Sequence, residues 1–169
     1  MSMGESDQRL KSRRLVFYTD DIDRINKALL NYQTLSKSKC NILVDIEGHA
    51  VTQVGKGEGL DLETLSALVA AAFAATNQVA KILGQTEFTT LTHQGKIESI
   101  QLTLIGHRTI LATIFDSKTT IGMVMFYTKE LVDKLSVVFD DIGNRKQEIR
   151  FQDDFGSDVS GALDDLFDD

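Results

Sequence analysis

The sequence predicts an α+β sandwich of order α-ββ-α-βββ-α, with helices packed on a five-stranded antiparallel sheet. Three observations predict it. Apolar residues recur every three or four positions in three long segments, the period of a helix with one buried face. Five short runs rich in β-branched residues lie between them, and several alternate in polarity as half-buried strands do. Glycine-containing turns separate the runs and proline is absent, so no element interior is broken by a missing amide donor.

Thr19 is the expected N-cap of the first helix, with Asp20, Asp21 and Asp23 at its positive end. Ile22, Ile25, Ala28, Leu29 and Tyr32 form its apolar face, which fades near Ser36–Ser38. Val16-Phe17-Tyr18, just ahead, fits a short strand or a hydrophobic staple. Cys40–Ile46 and Ala50–Val54 read as a hairpin around Glu47-Gly48. Asp61 caps a second helix over about residues 61–83, with Leu65, Leu68, Val69, Ala72, Phe73, Val79 and Ile82 as its core face and Gly84 as its stop. Three strands follow, Glu87–His93, Ile97–Ile105 and Arg108–Phe115, joined by turns at Gln94-Gly95-Lys96 and Gly106-His107. Thr119 or Thr120 caps a last helix that the pattern carries to about Ile142, although Val124–Tyr127 also fits a strand.

Composition bounds the function. The 169 residues suit one domain with tails. The net charge is −7, and residues 151–169 hold seven aspartates and no basic residue, which leaves residues 1–150 neutral. Neither part has the clustered basic face of a nucleic-acid binder. Residues 1–14 read as a flexible basic arm, and 143–169 as an acidic mobile tail. Within that tail, Val159, Leu163, Leu166 and Phe167 are spaced for a short amphipathic helix over 158–167. The single cysteine, Cys40, excludes a disulfide framework. Residues 1–14 lack the apolar core of a signal peptide, and no run approaches ~18 uninterrupted apolar residues. A cytoplasmic protein is expected.

The candidate chemistry is sparse. Gly55-Lys56-Gly57-Glu58-Gly59 is glycine-rich but lacks the Gly-Lys-Ser/Thr that opens a phosphate-binding helix, so it reads as a surface loop. His49, His93 and His107 show no metal-ligand spacing. Cys40 opens a core strand, where a thiol is usually inert packing. Asp20-Asp21 and Asp140-Asp141 read as solvated charge. No catalytic residue, metal or cofactor is expected. Two features remain open. The alanine-rich second helix, with Ala67, Ala70, Ala71, Ala74 and Ala75, reflects either helix propensity or a flat surface that another backbone approaches. The end of the chain, with Leu163, Leu166 and Phe167 among acids, is either a solubility tail or a helix that docks in a groove.

With that order of elements, the chain resembles the roadblock family from Leu15 to about Ile142, which makes 15–142 a roadblock domain of profilin-like architecture. The resemblance is carried by Leu15-Val16-Phe17-Tyr18, Leu43-Val44-Asp45 with its Gly48 turn, Ala80-Lys81-Ile82-Leu83-Gly84 with Glu87-Phe88, Ile105-Gly106-His107-Arg108 with Ile114-Phe115-Asp116, and Leu163-Asp164-Asp165-Leu166-Phe167. It implies a homodimer paired through the third strand, here Glu87, Phe88, Thr89, Thr90 and Leu91, with the second helices side by side. It also implies a platform for a Ras-like bacterial polarity or motility GTPase, formed by Ala67, Ala70, Ala71, Ala74 and Gln78. Gln78 departs from the small residue common in the family. The implied activity is activation of the bound GTPase through that enzyme's own catalytic residues, at a cell pole. Arg24 and Lys129 are implied charge contacts, and Leu163, Leu166 and Phe167 a second contact. A roadblock adaptor that binds without stimulating hydrolysis is the alternative. A small-molecule sensor or enzyme on the same sandwich would need convergent polar groups that the sequence lacks.

Overall fold

Among the described residues, three helices and five strands follow one another as α1 (Thr19–Ser36), β1 (Cys40–Asp45), β2 (Ala50–Gly55), α2 (Leu62–Ile82), β3 (Thr90–His93), β4 (Ser99–Ile105), β5 (Thr109–Phe115) and α3 (Ile121–Phe167). The structure is a computed structural model and describes residues 15–167, with side chains to Ile149 and at Val159. The basic arm 1–14 lies outside the described residues. The expected order and the five-stranded antiparallel sheet are both found. The strands run β2-β1-β5-β4-β3, so β1, β5 and β4 are central and β3 is an edge.

Alternation along the strands divides the core in two. Leu43, Val54, Ile105 and Leu111 face α1 and α3, where Ile25, Leu29, Leu131, Leu135, Val138 and Ile142 cover them. Ile42, Val44, Leu102, Leu104, Ile110, Ala112 and Ile114 face α2 on the other side, against Val69 and Phe73. Two helices thus share one sheet face, while α2 has the other to itself.

The layer under α1 and α3 also holds a polar seam. The Thr128 hydroxyl donates to the Val124 carbonyl at 2.6 Å. The Tyr32 hydroxyl lies 2.9 Å from Thr128 Oγ1 and 3.1 Å from Thr113 Oγ1. Thr128 has already spent its proton, so Tyr32 donates to Thr128 and accepts from Thr113. Gln101 Nε2 donates to the Thr128 and Thr103 hydroxyl oxygens at 3.2 and 3.3 Å. Burial pushes the Tyr32 phenol up from its ordinary value.

Several elements differ from expectation. Tyr18 rather than Thr19 caps α1, because its backbone N–H donates to Asp21 Oδ2 at 2.9 Å. Val16–Tyr18 forms no strand; Phe17 instead packs edge-on to Phe139, with ring centroids 6.1 Å apart. The third strand begins at Thr90, so Glu87, Phe88 and Thr89 precede it. Leu104 N–H still donates to the Thr89 carbonyl, and the same register sets Phe88 opposite Ile105, the last residue of β4, and Glu87 opposite the turn at Gly106, so regular pairing ends there. The last helix does not stop near Ile142. It continues through Gly143 to Phe167, 47 residues in all, and absorbs the stretch 158–167. An interior glycine costs a helix about 1 kcal/mol, too little to end one whose next turn is tied down by Arg145.

Candidate protein-interaction surface

Because α2 covers its sheet face alone, it buries only a narrow stripe: Ser66, Val69, Ala70, Phe73 and Ala80. Leu68, Val79 and Ile82, expected in the core, are 61%, 49% and 83% exposed. At 100° per residue the exposed face divides into two strips. Ala67, Ala71, Ala74 and Gln78 form a small-residue strip. Leu68, Ala75, Val79 and Ile82 form a large apolar strip beside it. Among the described residues, α2 is the one helix long and apolar enough to cross a membrane, with a mean hydropathy of 1.3. Its contacts with the sheet through Val69 and Phe73 make it a layer of this domain.

Ala70 is not on the exposed face. It is buried where the β1–β2 turn meets α2. A Cβ on Gly48 in that turn would lie 3.0 Å from the Ala67 Cα and 3.6 Å from the Ala70 Cβ, and Gly48 has φ +96°. Part of the alanine signal is therefore internal: Ala70 is small because a turn passes over it, and Ala67, though exposed, borders the same turn. Ala71, Ala74 and Gln78 remain exposed and unexplained by the core.

The other predicted contacts are dispersed. Arg24 on α1 donates to Asp141 on α3 at 3.0 Å, and Lys129 is exposed on α3. Both lie on the sheet face opposite α2, so the structure does not bring them to the alanine strip. Thr89, Thr90 and Leu91 sit at the β3 edge, and Glu87 and Phe88 just before it. Leu163, Leu166 and Phe167 fall on the last turns of α3, and their side chains lie outside the described residues.

One ionic feature escaped the sequence reading. Asp21 accepts two hydrogen bonds from the Arg145 guanidinium, at 2.6 and 3.3 Å, and the same guanidinium lies 4.4 Å over the Tyr18 ring. The hydrogen bond from Arg145 holds the Asp21 carboxyl below the usual carboxylate range. The pair spans 124 positions, beyond any local pattern.

Two groups among the described residues bear on metal or thiol chemistry. Asp45, Glu47 and His49 bring ligand-type atoms within 4.8 Å of one another. Asp45 Oδ1, however, accepts from the Glu47 and His49 backbone N–H groups at 3.0 and 2.9 Å, which makes it the lock of the β1–β2 turn. The Cys40 thiol is pushed up by burial and points toward no base: its nearest polar partner is Gln53 Nε2 at 3.5 Å.

The fold and its exposed helix face place the chain in a known class. It belongs to the Roadblock/LC7 domain family, whose model it matches over residues 26–115. Within that class it is similar to solved structures of MglB. Against Myxococcus xanthus MglB it is 30% identical with a TM-score of 0.71, covering 76% of this chain and 96% of that one. The gliding protein MglB of Thermus thermophilus gives 25% identity and a TM-score of 0.70, over 75% and 96%. An MglB with a tetrameric arrangement gives 25% and 0.72, over 76% and 96%. No curated protein matches the chain in sequence.

Proposed function

We propose that this chain is a homodimeric regulator that binds the GTP-bound form of a Ras-like bacterial polarity or motility GTPase and accelerates its GTP hydrolysis. The observation that carries the proposal is the exposed two-strip face of α2, on a chain similar to MglB over nearly the whole of that protein. In this reading β3 pairs with β3 of a second copy, which extends the sheet and closes its open edge. The large strip, Leu68, Val79 and Ile82, packs against the second copy. The small strip, Ala67, Ala71, Ala74 and Gln78, is left facing outward as a flat platform. The protein lends no catalytic group; it holds the GTPase so that the GTPase's own arginine and glutamine reach the γ-phosphate. Correct placement of an arginine is worth about 10³–10⁵ in rate. Leu163, Leu166 and Phe167 form a second contact, and the complex works in the cytoplasm at a cell pole.

The test is single-turnover GTP hydrolysis by the Ras-like GTPase of the same genome, with and without this protein, alongside light scattering in GTP and GDP. A GTP-dependent complex with faster hydrolysis is expected. Ala74→Arg should abolish both while leaving the dimer intact. A complex that forms without any change in rate selects the adaptor role instead.

A further inference from the structure

A cavity of about 400 Å³ lies where the β4–β5 turn meets α3, on the opposite side of the sheet from the α2 platform. Ile105 and Phe139 give it an apolar floor. Its rim is basic, with His107 and Arg108 from the turn and Lys146 from α3; Asp140 is the one acid among its lining residues. Gly143 lines it from the helix, and a Cβ there would meet nothing within 4 Å. The wall contributed by α3 is therefore open at that point.

The chain carries a segment of matching chemistry. Val159, Leu163, Leu166 and Phe167 recur at i, i+4, i+7 and i+8, with Asp158, Asp164, Asp165 and Asp168 between and beside them. An acidic segment with apolar anchors complements an apolar floor ringed by positive charge. The chain's own segment cannot reach: from Gly143 to Leu163 a continuous helix rises roughly 30 Å. We propose that, when no GTPase holds it, the acidic C-terminal segment, residues 158–169, of a second copy of the chain docks in this cavity. The apolar anchors would enter the floor and the aspartates would meet Arg108 and Lys146. Both of these side chains already interact within the chain, so docking exchanges partners rather than filling vacant charges.

The experiment uses a fluorescently labelled peptide of residues 158–169, titrated into the full-length protein without any GTPase and followed by polarisation. Saturable binding that weakens with added salt is expected. Arg108→Glu with Lys146→Glu should weaken it about tenfold, since attraction at one exposed and one half-buried site is replaced by repulsion. Gly143→Leu should weaken it as well, by occupying the cavity while leaving every charge in place. Thermal melting no lower than the parent's in both variants shows that the fold persists, and Lys146→Arg should retain binding. Equal affinity for parent, charge-reversed and Gly143→Leu proteins would overturn the proposal. So would equal binding of a scrambled peptide, or binding that appears only when the GTPase is added.

Discussion

At the scale of single residues, two contacts hold parts of the chain that its sequence keeps far apart. Gly48 lies under α2 with a positive φ and no room for a side chain. Gly48→Ala is expected to cost about 1–3 kcal/mol, because a strained backbone and a 3.0 Å approach to Ala67 Cα act together. Thermal or urea denaturation measures it. Asp21 and Arg145 join the start of α1 to the later part of α3. Because the Asp21 carboxyl is held below its usual range, it binds a proton less readily folded than unfolded. Its contribution is present above the unfolded value of about 3.9 and is lost as pH falls through the lower folded value. Asp21→Asn should therefore lower Tm at pH 7, and the gap from the parent should close at pH values below about 3.9. In the sequence Asp21 reads as one of three acids at a helix start and as solvated charge; the structure corrects this, since Asp21 is buried against Arg145. Nothing local pointed to a partner 124 positions away.

At the scale of elements, existence was legible and burial was not. Periodicity placed all three helices, and Ile25, Leu29 and Tyr32 were recognisable as core. For α2 the same periodicity overcounted, taking Leu68, Val79 and Ile82 as core. A helical pattern records which residues are apolar; it does not say whether this molecule or another covers them. The extent of α3 was missed for a related reason. Gly143 resembles a stop, yet it sits in an uninterrupted helix with open space where a Cβ would go. Gly143→Ala should consequently stabilise the protein by about 0.5–1 kcal/mol, seen as a higher Tm, since it removes the conformational cost of an interior glycine without a clash.

At the scale of the whole molecule, the sheet separates two surfaces. The α2 side presents an apolar helix face, and the α1/α3 side presents charged helices over a polar seam. This division explains why Arg24 and Lys129, grouped with the alanines on resemblance, stand apart from them in space. It also identifies how to break the proposed dimer without touching the fold. Leu68→Asp with Ile82→Asp changes two side chains that the isolated chain leaves exposed. The expected result is a folded monomer by light scattering, with a dimer Kd raised at least about tenfold. An unchanged dimer would place the contact elsewhere. The fold class could be read from the sequence because it needs only the order and period of the elements. The division of labour between surfaces could not, because it depends on which elements share a side of the sheet.

The length of α3 gives the clamp at Arg145 a mechanical role. The helix continues 22 residues beyond it to Phe167, about 33 Å of rod at 1.5 Å per residue. With Asp21 as fulcrum, a tilt of about 5° at the clamp would sweep the far end through about 3 Å over that arm, roughly the reach of one hydrogen bond. A small adjustment among Tyr18, Asp21 and Arg145 is thereby enlarged into a change in where the end of the chain can be found.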